Sequence, residues 1–342
     1  MYSFKNDYSE GAHPAILNKL IETNLVQQAG YGEDEYSTEA KNILKQKLNN
    51  PDAKIYFVSG GTQTNFLVIA ALLRPHEAVI SADTGHIFTN EAGAIESSGH
   101  KIIPIPVKNG KIKPEDIACI LKVYNSLNTV KPKLVYISNA TELGTIYSKS
   151  ELSALFEFCK SNNLYLFMDG ARLGNALTAH DNDLRFSDIS TLTDVFYIGG
   201  TKNGALLGEA VVFNTSELAT DFDYIVKQKG ALLSKGRILG IQFLELFKDD
   251  LYFSLAKKAN DLVAKIINAA KEKGYSFLAE TSTNQAFPIL PNTLIEKLSQ
   301  QYSFYVWEKI DKDFSAVRLI TSWATDENMV DEFVGDLKEL GV

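Results

Sequence analysis

The feature that most constrains the fold is an alternation along the first two thirds of the chain. Short runs of β-branched and aromatic residues are separated by longer segments with helical periodicity. This alternation is typical of βαβ units, in which helices cover a largely parallel sheet. We therefore predict an α/β fold with about seven strands, at residues 55–59, 78–81, 101–105, 134–138, 164–169, 194–199 and 210–214.

Two helices are predicted from apolar residues that recur on one face. One begins near Ser150 and continues to Cys159, and the other covers residues 251–273, with Gly274 as its stop. The elements become shorter beyond the second helix, so we place a domain boundary near residue 245. The predicted organisation is an N-terminal arm (1–14), a large domain (15–245) and a small C-terminal domain (246–342).

Composition excludes several classes of partner. Of the 342 residues, 45% are hydrophobic, which is typical of a globular protein with ample core. The net charge of −8 argues against binding to nucleic acid, which depends on phosphate neutralisation. The first residues lack the pattern of a secretion signal, and no apolar run approaches the ~18–20 residues of a membrane span. We therefore predict a cytoplasmic protein that binds no membrane, with Cys119 and Cys159 as buried reduced thiols.

Two charged residues stand at the ends of apolar runs, where a core would not place them. Asp169 ends one predicted strand, and Lys202 follows the next one. Ligands of open parallel sheets bind beyond the carboxyl ends of the strands, so both side chains could face one crevice. Taken alone, Asp169 could cap a helix and Lys202 could be a solvated loop residue. Together they favour a pyridoxal 5'-phosphate (PLP) site, in which Lys202 forms a Schiff base and Asp169 keeps the ring nitrogen protonated.

A glycine-rich segment, residues 59–65, follows the first predicted strand and opens a helical segment. Glycines let the backbone approach an anion, and N–H groups at a helix start, with the Thr62 hydroxyl, bind phosphate oxygens. The alternative is a glycine-rich turn with a capping threonine, since the segment is neither a Walker loop nor Gly-x-Gly-x-x-Gly.

His86 follows the second predicted strand and so belongs to the same edge of the sheet. This location suits an imidazole ring stacked on an aromatic cofactor. The alternative is a structural histidine with satisfied hydrogen bonds.

With these segments in register, the chain resembles the threonine aldolase branch of the PLP-dependent enzymes of fold type I, also described as β-eliminating lyases. The resemblance covers nearly the whole chain and implies a mostly parallel seven-stranded central sheet flanked by helices, plus a smaller C-terminal α/β domain. Its most specific elements are Asp169-Gly170-Ala171-Arg172-Leu173 with Asn175, and Gly199-Gly200-Thr201-Lys202-Asn203-Gly204. Gly61, Thr62 and Asn65 form a weaker element that other fold-type I enzymes share.

The resemblance also implies roles for individual residues. His86 would stack on the pyridine ring, and Gly61 and Thr62 would bind the phosphate. Arg172 would lie near the phenolic oxygen or the substrate carboxylate. Arg318 falls where the family places the arginine that grips the α-carboxylate, and bidentate geometry is the physical reason for an arginine there. Without the resemblance, Arg318 would be interpreted as a surface residue. No metal ligand is predicted.

Two further segments resemble parts of the family that act across a subunit interface. Tyr31 lies in a segment like the loop that reaches into a neighbouring site, and Arg237 in a stretch whose arginine meets the phosphate across the dimer. The resemblance thereby implies a homodimer or homotetramer. Asn6 stands where many members have a serine that binds substrate. Asparagine can still donate to a carboxylate, but the change leaves strict threonine specificity open.

The resemblance implies a PLP-dependent lyase that cleaves L-threonine, L-allo-threonine or another β-hydroxy-α-amino acid to glycine and an aldehyde. Lys202, Asp169 and His86 would be the catalytic residues, with His86, directly or through water, as the base for the β-hydroxyl proton. The alternatives are an aminotransferase or a β-eliminating lyase on another amino acid, because the cofactor machinery is shared. A noncatalytic PLP-binding protein is a third hypothesis.

Overall fold

The computed structural model describes residues 1–341. Its central feature is a sheet of seven strands. All strands run parallel except Glu209–Phe213, which is antiparallel to both of its neighbours. The strand order is Lys54–Val58, Glu209–Phe213, Val195–Gly199, Tyr165–Asp169, Lys131–Ser138, Glu77–Ala82 and Lys101–Ile105. The predicted mostly parallel seven-stranded sheet is confirmed.

The sheet was predictable because helices cover both of its faces. Strands buried on both sides are nearly continuous apolar runs, and Val195–Gly199 and Glu209–Phe213 are buried at every position. The α-helices of the described chain are Pro14–Thr23, Glu35–Leu48, Gly61–Leu72, His86–Thr89, Ala94–Ser97, Pro114–Val123, Lys149–Ser161, Leu173–Leu177, Phe186–Thr191, Phe222–Gln228, Arg237–Lys248, Leu251–Glu272, Asn292–Leu298 and Glu327–Leu340, with a 3-10 turn at Glu217–Ala219.

Both helices predicted from periodicity are present. Helix Lys149–Ser161 begins with a capping box, in which Ser148 and Glu151 exchange side-chain and backbone hydrogen bonds. Helix Leu251–Glu272 ends just before Gly274, whose φ of 77° lies in the left-handed region that favours glycine.

The C-terminal part of the chain contains a second, smaller sheet, which is antiparallel. Its strands within the described residues are Gln285–Ala286, Ile289–Pro291, Tyr305–Lys309 and Phe314–Ile320. The long helix Leu251–Glu272 contributes to two apolar cores: Tyr252 packs with the large sheet, and Ile266 packs with the small one.

The N-terminal arm is attached to this C-terminal part. Strand Tyr2–Ser3 pairs in parallel with Tyr302–Ser303. The Phe4 ring is fully buried against Tyr302 and Phe333. The arm is therefore attached to the C-terminal part through a separate two-stranded sheet and a cluster of aromatic rings.

The prediction that both cysteines are buried is wrong for Cys119. Cys159 is buried in helix Lys149–Ser161, but Cys119 is exposed in helix Pro114–Val123. Ile117 lies on the buried side of that helix. Cys119 is two residues further on, which places it about 200° around the helix axis from Ile117, on the exposed side. Within the described chain, no helix combines the length and apolarity that a bilayer crossing requires.

Candidate active site

A cavity of about 380 Å³ opens at the carboxyl ends of the parallel strands. This volume lies in the range typical of small-molecule sites. Six residues predicted from the sequence line it together: Gly61, Thr62, His86, Asp169, Arg172 and Lys202. The structure therefore brings six of the seven predicted cofactor residues, all except Arg237, into one place.

Asp169 ends strand Tyr165–Asp169 and is buried, with 4% of its surface exposed. The hydroxyls of Tyr136 and Tyr197 each donate to its carboxylate at 2.5 Å, and the Ala171 N–H donates at 2.9 Å. Burial raises the pKa of Asp169, but the charge of His86 and the two tyrosine hydrogen bonds outweigh it and lower the pKa overall. Asp169 is therefore held as a carboxylate, the form that can keep a ring nitrogen protonated.

Lys202 lies in the turn after strand Val195–Gly199. Burial and the charge of Arg172 lower its pKa, although the charges of Asp7 and Asp169 oppose this. A lower pKa makes the neutral amine more available as a nucleophile. Glu209 lines the same cavity and accepts a hydrogen bond from the Gly200 N–H at 2.9 Å. Burial raises the pKa of Glu209 to about 8.

The glycine-rich segment forms the start of helix Gly61–Leu72. Ser59 donates from its N–H and hydroxyl to Gln63 Oε1, at 3.1 and 2.9 Å, which fixes the turn before the helix. A Cβ atom on Gly61 would lie 3.1 Å from the Tyr197 hydroxyl, a tight contact that favours glycine at this position. The first N–H groups of a helix have no partner within it, and they favour an anion.

His86 is the first residue of helix His86–Thr89 and is oriented by an acidic side chain. Its Nδ1 lies 2.9 Å from Glu91 Oε1, which also accepts from Asn65 Nδ2 at 2.7 Å. Burial lowers the pKa of His86, but the Glu91 hydrogen bond and the charge of Asp169 outweigh it and raise the pKa overall. The buried carboxylate therefore favours a proton on Nδ1 and fixes the ring.

Arg172 is paired with an acidic residue of the N-terminal arm. Its Nε and Nη2 donate to the Asp7 carboxylate at 2.7 and 3.1 Å. Asn284, from the C-terminal part, donates to the same carboxylate at 2.9 Å. Asp7 therefore joins three parts of the chain at the wall of the cavity, and it takes up two of the donor atoms of Arg172.

Arg318 lies in strand Phe314–Ile320, outside the set of residues that line the cavity. Its guanidinium carbon is 5.4 Å from the Tyr305 ring centre and 4.7 Å from that of Trp307. Burial and the charge of Arg172 lower its pKa, and its Nε is buried without a hydrogen-bond partner among residues 1–341. Arg318 is thus a partly desolvated cation with one unpaired Nε donor among the described residues.

Besides Arg318, three further predicted residues do not line the cavity formed by residues 1–341. The Asn6 side chain accepts from the Tyr8 N–H and the Ser9 hydroxyl. Tyr31 is exposed and lies beneath the Lys227 ammonium. Arg237 donates to the backbone carbonyls of Thr23, Asn24 and Val26.

Several residues of the site were not identified from the sequence: Asp7, Tyr8, Tyr136, Glu142, Tyr197 and Glu209. Tyr136 and Tyr197 each lie two residues before the end of a buried strand, and a hydroxyl inside an apolar run was a signal that could have been used. Asp7 has no comparable signal, because its partner Arg172 is remote in the sequence.

The family model of the beta-eliminating lyases matches residues 7–292, and this range contains every residue that lines the cavity. The chain belongs to the beta-eliminating lyase family. As a member of it, the chain is a PLP-dependent lyase.

Individual relatives agree with this assignment. A low specificity L-threonine aldolase of Pseudomonas aeruginosa is 33% identical, over 98% of this chain and 96% of the relative. A solved structure of a Leishmania major threonine aldolase matches with a TM-score of 0.98 and 45% identity, with complete coverage of both chains. A Thermus thermophilus aspartate aminotransferase, 14% identical with a TM-score of 0.72, shares the fold of this lyase.

The residues of the cavity fit PLP. The buried carboxylate of Asp169 suits the ring nitrogen, and the helix start at Gly61 suits the phosphate. Lys202 supplies an amine with a lowered pKa for the aldehyde. One cavity thus offers the three kinds of group that the cofactor requires. Among residues 1–341, no three His, Cys, Asp or Glu side chains are grouped to hold a metal ion.

Proposed function

We propose that this lyase cleaves L-threonine, L-allo-threonine or a related β-hydroxy-α-amino acid to glycine and an aldehyde. The observation that carries the proposal is the convergence of Lys202, Asp169 and the helix start at Gly61 on one cavity. The relatives that match over nearly the full chain are threonine aldolases, which supports this choice of reaction.

The proposed cofactor contacts are supported by the residues that line the cavity. Lys202 forms the covalent link, Asp169 holds the pyridine nitrogen, and Gly61 and Thr62 hold the phosphate. His86 stacks on the ring. When bound, PLP supplies an electron-withdrawing ring that stabilises negative charge on the substrate Cα. The short hydrogen bonds from Tyr136 and Tyr197 keep Asp169 ionised, which is the state that this role requires.

We assign the substrate carboxylate to Arg318. Two aromatic rings flank its guanidinium, and it forms no salt bridge with an acidic residue of the described chain. Arg172 is less available, since Asp7 already accepts from its Nε and Nη2. Arg172 would then contribute its remaining Nη1 to the cofactor or the substrate.

The proposal includes an assembly in which neighbouring subunits complete each other's sites. Tyr31 and Arg237 lie away from the cavity of their own chain, as expected if they act on a homodimer or homotetramer partner. Asn6 remains a proposed substrate contact. We also propose a cytoplasmic location, since both cysteines are free, as is usual in reducing compartments.

The proposed domain division keeps the arm at residues 1–14, the large domain at 15–245 and the small domain at 246–342. Separate sheets and separate apolar cores in the two main parts support it. Helix Leu251–Glu272 contributes to both cores and would join the domains.

The experiment is to incubate the purified protein and PLP with L-threonine, L-allo-threonine and L-phenylserine, and to assay glycine and aldehyde. Equal amounts of both products support the proposal. A keto acid in their place would indicate transamination, and no product from any substrate would indicate a noncatalytic protein.

The matched variant is Lys202→Ala. It should lose the visible absorbance of the bound cofactor and its turnover together, because the covalent link is removed. Full turnover with an unchanged spectrum would refute the assignment of Lys202. Lys122→Ala, a change in an exposed residue of helix Pro114–Val123 outside the cavity, is the control and should behave as the parent protein.

A further inference from the structure

Glu142 is an acidic residue of the cavity to which neither the sequence nor the cofactor gives a role. It lies after strand Lys131–Ser138, at the same sheet edge as Asp169, and it lines the cavity with Asp169, Arg172 and Lys202. The Glu142 side chain is half-buried, and its exposed part faces the cavity.

One oxygen of Glu142 is fixed by two donors. The Ser138 hydroxyl donates to Oε1 at 2.8 Å, and the His86 backbone N–H donates to the same atom at 3.1 Å. Within residues 1–341 the hydrogen bonds of this side chain engage Oε1, which leaves Oε2 for a ligand in the cavity. The carboxyl group is thus held in one orientation with one acceptor atom available.

The charges around Glu142 favour proton uptake. Burial and the negative charge of Asp169 raise its pKa, and the Ser138 hydrogen bond and the charge of His86 oppose this only in part. Arg172 is the nearby cation, but it is neutralised by its bidentate pair with Asp7. The Tyr136 hydroxyl is engaged with Asp169. A carboxylate whose pKa is raised is a stronger base than an ordinary glutamate.

His86, the base predicted from the sequence, is less suited to receive a proton. Its pKa is raised overall by Glu91 and Asp169 against the effect of burial. Its Nδ1 is engaged with Glu91. A ring stacked on a cofactor also presents its face, and not its lone pair, to the ligand.

We propose that Glu142 Oε2 accepts the proton of the substrate β-hydroxyl as the Cα–Cβ bond breaks, an inference that rests on the proposed function. The O–H electron pair becomes the second bond of the aldehyde C=O, and the Cα–Cβ electron pair stays on Cα. Cα then takes up a proton to give glycine, and the Glu142 carboxyl returns its proton to solvent. Atoms and charge balance, with one amino acid giving glycine and one aldehyde.

The test compares Glu142→Gln with the parent holoenzyme in two reactions of the same site. Cleavage of L-threonine requires loss of the hydroxyl proton, whereas exchange of the glycine α-hydrogen for deuterium does not. Glu142→Gln should lower kcat for threonine cleavage by about 10²–10⁴-fold. Glycine exchange, followed by NMR, should stay within about threefold of the parent rate, because this reaction needs no base for a hydroxyl proton. Glu157→Gln, an exposed glutamate of helix Lys149–Ser161, is the matched control.

A second readout needs no turnover. Infrared difference spectra of the cofactor-free protein should show a carboxyl group that titrates above the usual range of glutamate, and this signal should be absent from Glu142→Gln. The thermal midpoint and the cofactor spectrum of the variant should match those of the parent.

Three outcomes would overturn the inference. Threonine cleavage by Glu142→Gln at the parent rate would show that another group takes the proton. A parallel loss of cleavage and glycine exchange would show that Glu142 supports the whole site. A parent protein that exchanges glycine but cleaves no β-hydroxy amino acid would refute the proposed function itself, and the inference with it.

Discussion

Replacement of Asp7 by asparagine should destabilise the protein through one buried ion pair. Asp7 is 1% exposed, and its carboxylate accepts from Arg172 at 2.7 and 3.1 Å and from Asn284 at 2.9 Å. Asparagine keeps the shape of the side chain but removes the charge. The guanidinium of Arg172 would then stay buried without its counter-ion.

The expected loss is about 3–5 kcal/mol, the usual effect of removing one partner from a buried ion pair. Dividing this loss by the unfolding entropy, about 2.1 cal/mol/K per residue, gives the expected decrease in melting temperature. If the chain melts as one unit, its 342 residues give a decrease of about 4–7 °C. Asp261→Asn provides a surface control, because Asp261 and Lys257 form an i,i+4 pair with side chains 62% and 63% exposed. That control should change stability by less than about 1 kcal/mol.

The assay is urea unfolding of the cofactor-free protein, followed by circular dichroism at several pH values. Burial raises the pKa of Asp7, but the charges of Arg172 and Lys202 and the hydrogen bonds from Arg172 and Asn284 outweigh it and lower the pKa below the ordinary 3.8. The stabilisation is therefore present above pH 3.8 and is lost as the pH falls through the lower pKa of the folded state. The two proteins should converge in acid. Equal stability of Asp7→Asn and the parent at pH 7 would refute the reasoning.

Three further predictions concern other residues of the site. Burial raises the pKa of Glu209 from 4.5 to about 8. The protonated side chain therefore contributes stability that is lost as the pH rises from 4.5 to about 8, and the loss is at most about 5 kcal/mol. Cofactor-free Glu209→Gln should therefore gain stability over the parent from pH 5 to pH 9 in denaturant titrations, and a constant difference would contradict this. Tyr197→Phe removes a 2.5 Å hydrogen bond to Asp169. A hydrogen bond to a charged group contributes ~1.5 kcal/mol, so PLP binding measured by equilibrium dialysis should weaken about tenfold. An unchanged Kd for PLP would contradict this. Arg318→Lys should raise KM for threonine at least about tenfold in steady-state assays and leave PLP affinity unchanged, because lysine cannot bind a carboxylate with two parallel hydrogen bonds. A KM equal to that of the parent would show that Arg318 does not bind the substrate.

The large sheet could be predicted almost completely from the sequence. Its strands are buried on both faces, so that runs such as Val195–Gly199 are distinct from the amphipathic helices between them. Strand Tyr305–Lys309 of the small sheet escaped prediction because it is exposed at every position and shows no alternation. Its only partner within the described residues is Phe314–Ile320.

The candidate site was predictable where function places a charge at the end of an apolar run. Asp169 and Lys202 meet that condition, and both line the cavity. Glu142 and Asp7 do not, because each lies in a polar stretch where an acidic residue is unremarkable. Their significance comes from partners that only the fold brings close, such as Arg172 for Asp7 and Ser138 with His86 for Glu142.

The attachment of Tyr2–Ser3 to Tyr302–Ser303 has a consequence for biosynthesis. Strand Tyr2–Ser3 leaves the ribosome long before the strand with which it pairs has been synthesised. Until then Phe4 has no apolar core to enter, and Asp7 reaches Arg172 without the support of Asn284. Closure of the arm is therefore a late event in maturation, and a bulky fusion at the amino terminus would impede this last step more than the folding of the central sheet.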